Sequence, residues 1–214
     1  MDALAHQFDD LDQQHEAASL GMWVFLATEI MFFGALFLGY AIYRGMYPAA
    51  FAAASHHLDI VLGTTNTALL LCSSLTMALA VHATQLGTRK AATIFLILTI
   101  LLGSAFLGIK GVEYFHKYEE RLIPGSNFYF EGADGRHTQI FFSFYFVMTG
   151  MHALHMIIGV GLLSIMILMT SRGRFSPDHY SPVEMSGLYW HFVDIVWVFL
   201  FPLLYLVDRS GGFK

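Results

Sequence analysis

The stretch Gln139–Thr170, QIFFSFYFVMTGMHALHMIIGVGLLSIMILMT, is 32 residues long and contains no Asp, Glu, Lys or Arg. A helix needs about 20 mainly apolar residues to cross the hydrocarbon core of a bilayer. Because this stretch exceeds that length, it predicts a membrane-spanning helix that tilts or extends beyond the bilayer.

Four further apolar stretches lie elsewhere in the 214-residue chain. They are Leu20–Tyr43, Ile60–Gln85, Ala91–Ile109 and Met185–Val207. Backbone polar groups in lipid must be hydrogen-bonded within their own segment, which favours helices over the weakly alternating strands of a barrel. The sequence therefore predicts an all-α integral membrane bundle of five transmembrane helices.

The composition supports a membrane protein. Hydrophobic residues make up 56% of the chain and charged residues 13%, whereas about 25% of an average soluble domain is charged. The net charge of −5 provides no basic surface for nucleic acid. The single cysteine, Cys72, excludes an intrachain disulfide.

Polar segments flank the predicted bundle, residues 20–207. Residues 1–19 are acidic and begin without Lys or Arg, which predicts an exposed N-terminal tail and not a secretory signal. Residues 208–214 are expected to form a short C-terminal tail.

The connections between spans differ in length. Leu86–Lys90 predicts a tight turn, so the second and third spans should be antiparallel neighbours. Gly45–Asp59 and the charged segment Lys110–Thr138 predict longer loops.

Few ionisable groups lie inside the spans, and each needs a partner or a purpose because it is costly to insert. They are Glu29, His152, His155, His191 and Asp194. His152 and His155 lie on one span, and His191 and Asp194 lie on another. Each pair is spaced i, i+3, so its two residues share a helix face. Three interpretations are open at this stage: a hydrogen-bond network that holds the helices together, proton handling, and a metal or haem site.

Five motifs occur in an order that resembles one family, the subunit III family of haem–copper oxidases. They are Leu20–Glu29 (LGMWVFLATE), Asn66-Thr67 with Cys72–Ser74, Glu113-Tyr114, Thr149–Gly159 (TGMHALHMIIG) and Tyr189–Trp197 (YWHFVDIVW). The resemblance covers Leu20 to Val207. Unlike the common seven-helix form, the chain lacks two N-terminal helices, so it resembles the five-helix bacterial form.

The resemblance implies a non-catalytic role. It implies that the chain carries no metal or redox centre, with haem and copper on partner subunits, and that it packs against oxidase subunits I and II, binds phospholipids and supports proton uptake. Cytochrome c would be an indirect partner, and a respiratory supercomplex a further one. The implied location is the bacterial inner membrane, with a cytoplasmic N-terminus, whereas Lys and Arg counts favour a cytoplasmic C-terminus.

The same resemblance assigns roles to particular residues. Glu29 corresponds to a lipid-proximal or proton-related carboxylate that reacts with hydrophobic carbodiimides. A structural polar network is expected from Asn66, His152, His155, Trp190, His191 and Asp194, with His191 and Asp194 hydrogen-bonded to His152 or His155.

Other functions are weighed against this one. The nearest are an accessory subunit of a nitric oxide reductase system and a subunit of a quinol oxidase. A stand-alone transporter would need repeated halves or a broken-helix pair, and the sequence has neither. A membrane metalloenzyme acting alone would have to retain metal on the isolated chain.

Overall fold

The computed structural model describes residues 7–131, 134–175 and 180–207. The helices in these ranges are α1 (Leu11–Met46), α2 (Pro48–His56), α3 (Ile60–Gln85), α4 (Arg89–Glu119), α5 (Gly135–Ser171) and α6 (Ser181–Tyr205). No strand is found in the described ranges. The predicted C-terminal tail and the first six residues of the predicted N-terminal tail lie outside them.

Five of the helices, α1 and α3 to α6, are long and apolar enough to cross a membrane. The prediction of an all-α bundle with five transmembrane helices is therefore confirmed. The turn between α3 and α4 also follows the prediction, since α3 ends at Gln85 and α4 begins at Arg89. Gly87 in this turn has a φ of 71°, a left-handed conformation that favours glycine.

The first helix begins nine residues before the apolar stretch that predicts it. Asp10 is its N-cap, and the Asp10 carboxylate accepts a hydrogen bond from the Gln13 backbone N–H at 2.7 Å. This cap allows the polar segment from Leu11 onward to be helical. The predicted acidic tail is thus partly an extension of α1.

The prediction that Gly45–Asp59 is a loop is wrong, because most of that segment forms α2. Pro48 begins the helix, where its missing N–H costs nothing. One face of α2 is buried, and the Ser55 hydroxyl donates to the Leu204 carbonyl at 2.7 Å. Contact with the end of α6 therefore stabilises a short helix that would be marginal alone.

The prediction that a loop begins at Lys110 is also wrong, because α4 continues to Glu119. Lys110 is only 3% exposed and its ammonium lies 3.0 Å from the Glu113 carboxylate. Pairing on one helix face lets the helix carry both charges into the bundle. Lys110 therefore does not count among the loop charges that were used for orientation.

Large aromatic side chains fill the interior between α3, α4, α5 and α6. Trp190 on α6 is fully buried where two glycines let the backbones approach. A Cβ at Gly103 on α4 would lie 2.7 Å from the Trp190 ring, and one at Gly159 on α5 would lie 2.9 Å from it. By contrast, α1 lies at the edge of the bundle, with Trp23 60% and Met31 75% exposed.

Candidate functional site

The carboxylate of the first span contacts a histidine on α5. Glu29 Oε2 lies 3.1 Å from His155 Nε2. The other ring nitrogen, Nδ1, lies 2.8 Å from the Met151 carbonyl oxygen. A carbonyl can only accept, so Nδ1 carries a hydrogen and donates it. The contact with Glu29 then holds one proton, either on Nε2 of an imidazolium or on the carboxyl group.

This pair is fastened to a third helix. The Tyr189 hydroxyl on α6 donates to the backbone carbonyl of His155 at 2.9 Å, and the Phe33 ring on α1 lies 5.4 Å from the His155 ring. The structure therefore joins α1, α5 and α6 at two residues predicted as site residues, Glu29 and His155. Tyr189 belongs to the quoted motif of the last span but was not predicted as a site residue.

A second set of contacts joins α3 to α6. The Trp190 indole N–H donates to the Ser73 hydroxyl at 2.9 Å. Two turns further along α6, the Trp197 N–H donates to Thr67 Oγ1 at 3.0 Å. Each bond satisfies a buried indole donor with a small hydroxyl on the facing helix, which is how polar groups connect membrane helices.

His191 also takes part in the contacts between α3 and α6. Its Nδ1 lies 2.7 Å from the Ser74 hydroxyl on α3. The predicted hydrogen bond from His191 to His152 or His155 is therefore replaced by one to Ser74. In the sequence, the run Cys72–Ser74 on one span and Trp190-His191 on another were the residues that could have indicated these contacts. The sequence alone does not give the register between the two helices.

The remaining predicted residues are deeply buried. Asn66 and His152 have no exposed surface and Asp194 is 3% exposed. Among the described residues, the side-chain nitrogen and oxygen atoms of Asn66 and His152 have no hydrogen-bond partner, whereas the Asp194 carboxyl group lies beside the Ser74 hydroxyl. The predicted network is thus not one connected set. Glu29 pairs with His155, Trp190 bonds to Ser73, and His191 and Asp194 both lie beside the Ser74 hydroxyl.

Sequence analysis missed a buried ion pair near one end of the bundle. Lys110 Nζ donates to Glu113 Oε2 at 3.0 Å, to the Tyr205 hydroxyl at 2.7 Å and to the Tyr145 hydroxyl at 3.3 Å. Tyr205 in turn donates to Glu113 Oε1 at 2.6 Å. The charges on α4 are thereby hydrogen-bonded to both α5 and α6, which is what a buried pair requires.

Aromatic rings enclose this ammonium group. Lys110 Nζ lies between 4.9 and 5.7 Å from the centroids of four rings. These rings belong to Tyr114, Tyr145, Trp197 and Tyr205. Their faces add cation–π attraction to the hydrogen bonds. The sequence signal that was available is the opposite charges three residues apart at the end of an apolar span.

Two surface depressions adjoin these groups. A polar one of about 290 Å³ reaches Glu113 and is lined also by His57, His116 and Glu120. An apolar groove of about 490 Å³ runs between α1 and α6, where its lining includes Trp23 and Phe199. His191 is on the lining of the apolar groove.

The metal interpretation has no ligand set in the described part of the chain. No group of three or more His, Cys, Asp or Glu side chains is arranged there to hold a metal ion. The polar groups described above instead contact one another across helices, or lie buried singly.

Comparison with known proteins gives one consistent result. The chain matches the family model described as cytochrome c oxidase subunit III over residues 11–208. It is 33% identical to the quinol oxidase subunit 3 of Bacillus subtilis, over 90% of this chain and 88% of that protein. It is also 33% identical to the cytochrome c oxidase subunit 3 of Corynebacterium diphtheriae, over 89% and 88%. The subunit 3 of Gadus morhua is 35% identical over 86% of this chain and 67% of its own length.

Proposed function

Because this chain belongs to the cytochrome c oxidase subunit III family, we propose that it supports the catalytic subunits of a proton-translocating haem–copper terminal oxidase and carries no redox centre itself. The observation that carries the proposal is the match over residues 11–208, which includes all five long apolar helices. Reduction of oxygen would take place on partner subunits that hold haem and copper.

The distribution of polar groups supports a structural role. Glu29, His155 and Lys110 contact other helices of this chain at hydrogen-bond distance. Groups used in this way hold a bundle together, at about 0.6–2 kcal/mol per contact. The chain would act as a preformed scaffold that packs against oxidase subunits I and II.

The outer faces of the helices support contacts with lipid or with other subunits. Large apolar side chains are widely exposed, among them Met31 on α1 and Val61 on α3, which is 72% exposed. The groove between α1 and α6 is nearly all apolar and suits acyl chains of phospholipids. We assign phospholipid contacts to this groove and contacts with subunit I to other exposed faces.

Glu29 is proposed as a structural, lipid-proximal group and not as an obligatory element of the proton pump. It is paired with His155, and Leu26 and Ile30 beside it on α1 line the apolar groove. The proposed topology has a cytoplasmic N-terminus in the inner membrane of a bacterium.

A quinol oxidase is the second candidate for the complex. The relatives include a quinol oxidase subunit 3 and a cytochrome c oxidase subunit 3 at the same identity. The electron donor is therefore a property to be measured on the assembled complex.

A pull-down in mild detergent tests the proposal. The native complex is captured through a tag on this chain and examined by redox difference spectroscopy and metal analysis. We expect haem and copper to arrive with larger membrane subunits and to be lost when the chain is stripped free. Haem without copper would favour a nitric oxide reductase system, and metal retained by the isolated chain would overturn the structural role.

A further inference from the structure

Tyr205, the last residue of α6, has a buried hydroxyl group that is hydrogen-bonded to a base. Its side chain has no exposed surface, and its O–H donates to Glu113 Oε1 at 2.6 Å. A phenol becomes a strong acid when it loses an electron, so its oxidation is easiest where a base takes up the proton at once. A carboxylate at hydrogen-bond distance is such a base. The Tyr205–Glu113 pair therefore has the geometry of a redox-active tyrosine.

Tyr40 shows the other environment that a buried tyrosine has in this bundle. It too has no exposed surface, but its O–H donates to the Leu203 backbone carbonyl at 2.7 Å. A backbone carbonyl accepts a hydrogen bond and does not take up the proton. Three rings around Tyr40 are those of Phe51, Phe141 and Phe144, and phenylalanine is far harder to oxidise than tyrosine or tryptophan. Burial and a hydrogen bond alone therefore do not make a tyrosine of this chain redox-active.

The rings around Tyr205 can exchange an electron with it. Its ring centroid lies 6.3 Å from that of Tyr145 and 6.3 Å from that of Trp197. Tyr145 in turn lies 6.0 Å from Tyr114, and Tyr118, one turn further along α4, is 67% exposed. Tyrosine and tryptophan are the aromatic side chains that lose an electron most readily. Oxidisable rings thus connect Tyr205 with the surface of the bundle.

The proton that Tyr205 gives up has a route to water. Glu113 is only 2% exposed, yet it lines the polar depression of about 290 Å³ together with His57 and His116. A proton kept on Glu113 would leave the Lys110 ammonium buried without a counterion, which is costly. Its release through the depression restores the ion pair. Lys110 also donates to the Tyr205 oxygen at 2.7 Å, so that oxygen keeps a hydrogen bond after its own proton has gone.

We propose that Tyr205 and Glu113 form a redox-active pair that reduces oxygen-derived radicals by one electron. In this step the Tyr205 O–H bond breaks, the proton passes to Glu113 Oε1, and the electron passes through the neighbouring rings to the oxidant. A hydroxyl radical, for example, gains this electron and a proton from the solvent and becomes water. A neutral tyrosyl radical is left on Tyr205.

The source of the oxidant rests on the proposed function, because incomplete reduction of oxygen on the partner subunits would supply such radicals. The pair lies outside the catalytic electron path, whose centres remain on those subunits. It would add a protective reaction to the structural role of the chain.

Electron paramagnetic resonance of the purified complex tests the pair with an added oxidant. Photo-oxidised ruthenium tris(bipyridine), formed with persulfate, removes single electrons whether or not haem is present. We expect a tyrosyl signal with a component that is lost in Tyr205→Phe and retained in Tyr40→Phe. The two variants are matched, because each removes a buried hydroxyl group and keeps the ring. Equal signals in both variants and in the unaltered protein, or a component lost only in Tyr40→Phe, would overturn the proposal.

Peptide mapping of the oxidised complex by mass spectrometry needs no variant. Hydroxylated tyrosine should accumulate at Tyr205 and Tyr145 and not at Tyr40. Equal modification at Tyr40, or modification confined to the exposed Tyr118, would contradict a redox-active pair. The same mapping after turnover with oxygen tests the source, and a lack of modification there would contradict the assigned oxidant. A complex without haem and copper would instead overturn the proposed function and leave the result with the added oxidant intact.

Discussion

Glu29 and His155 stand 126 residues apart in the chain and 3.1 Å apart in the structure, with the far nitrogen of the histidine ring held by the Met151 carbonyl. Since Nδ1 must donate to that carbonyl, the pair keeps a single proton between Nε2 and the carboxyl group. This polar contact ties the edge helix α1 to α5.

Replacing Glu29 by Gln should preserve proton pumping in the assembled oxidase. The glutamine amide can donate to a neutral His155 Nε2, so the contact between α1 and α5 remains as a neutral hydrogen bond. The proton-to-electron ratio, measured in vesicles containing the purified complex, should equal that of the unaltered protein. Loss of pumping with normal assembly would show that the carboxyl group itself is required.

Replacing Lys110 by Met should destabilise the chain strongly. It leaves Glu113 buried at 2% exposure with the Tyr205 hydroxyl as its remaining described partner. Removal of one member of a buried ion pair typically costs about 3–5 kcal/mol. The measurement is the thermal midpoint for loss of this chain from the purified complex.

The double variant Lys110→Met with Glu113→Gln is the control for that experiment. It removes both charges, so no ion is left without a partner, and we expect it to recover much of the stability lost by the single variant. A single variant as stable as the unaltered protein would mean that the pair does not hold α4 in place.

Replacing Gly103 by Ala should weaken the packing of α4 against α6. The new methyl group would lie 2.7 Å from the Trp190 ring, which is fully buried. Overpacking of this kind typically costs about 1–3 kcal/mol. Recovery of the complex after heating in detergent, compared across variants, reports the effect.

Gly108 on the same helix provides the matched control. A methyl group there meets nothing within 4 Å, so Gly108→Ala should be neutral or stabilising by about 0.5–1 kcal/mol. Equal losses at both positions would indicate a general intolerance of α4 and not a contact with Trp190.

Replacing Asp194 by Ala should reduce assembly more than turnover. The side chain is 3% exposed and lies beside the Ser74 hydroxyl of α3, so its removal leaves a void and takes away this contact between α3 and α6. The yield of complete complex and the turnover per haem should be measured on the same preparation. Normal yield with lost turnover would place Asp194 in the chemistry instead.

The number and type of the main elements were predictable from the sequence, because a span of some 20 apolar residues admits few structures in lipid. The residues at which the helices begin and end were less predictable. A charged residue at the end of an apolar run, such as Lys110, suggests that a loop begins there. Its partners Tyr145 and Tyr205 lie far away in the sequence, so the sequence does not show that the helix continues. Likewise α2 depends on its contact with the end of α6.

The polar residues of the site were found by type, since an ionisable group inside a span is rare. Their partners were not found, because the pairing of Ser74 with His191 or of Ser73 with Trp190 depends on the register and rotation of two helices. Apolar periodicity was of little help here, since helices in contact with lipid are apolar on every side.

The early start of α1 has a mechanical consequence. Its 36 residues make a rod of about 54 Å, while a hydrocarbon core of about 30 Å is crossed in less than about 40 Å even at a 40° tilt. Part of the rod therefore stands in water, where His15 lies 3.9 Å from Glu184 at the start of α6. One residue inserted between His15 and Leu20 would turn everything before it by about 100°. The rotation of the aqueous end of α1 about the helix axis is thus fixed relative to the face that α1 presents within the membrane.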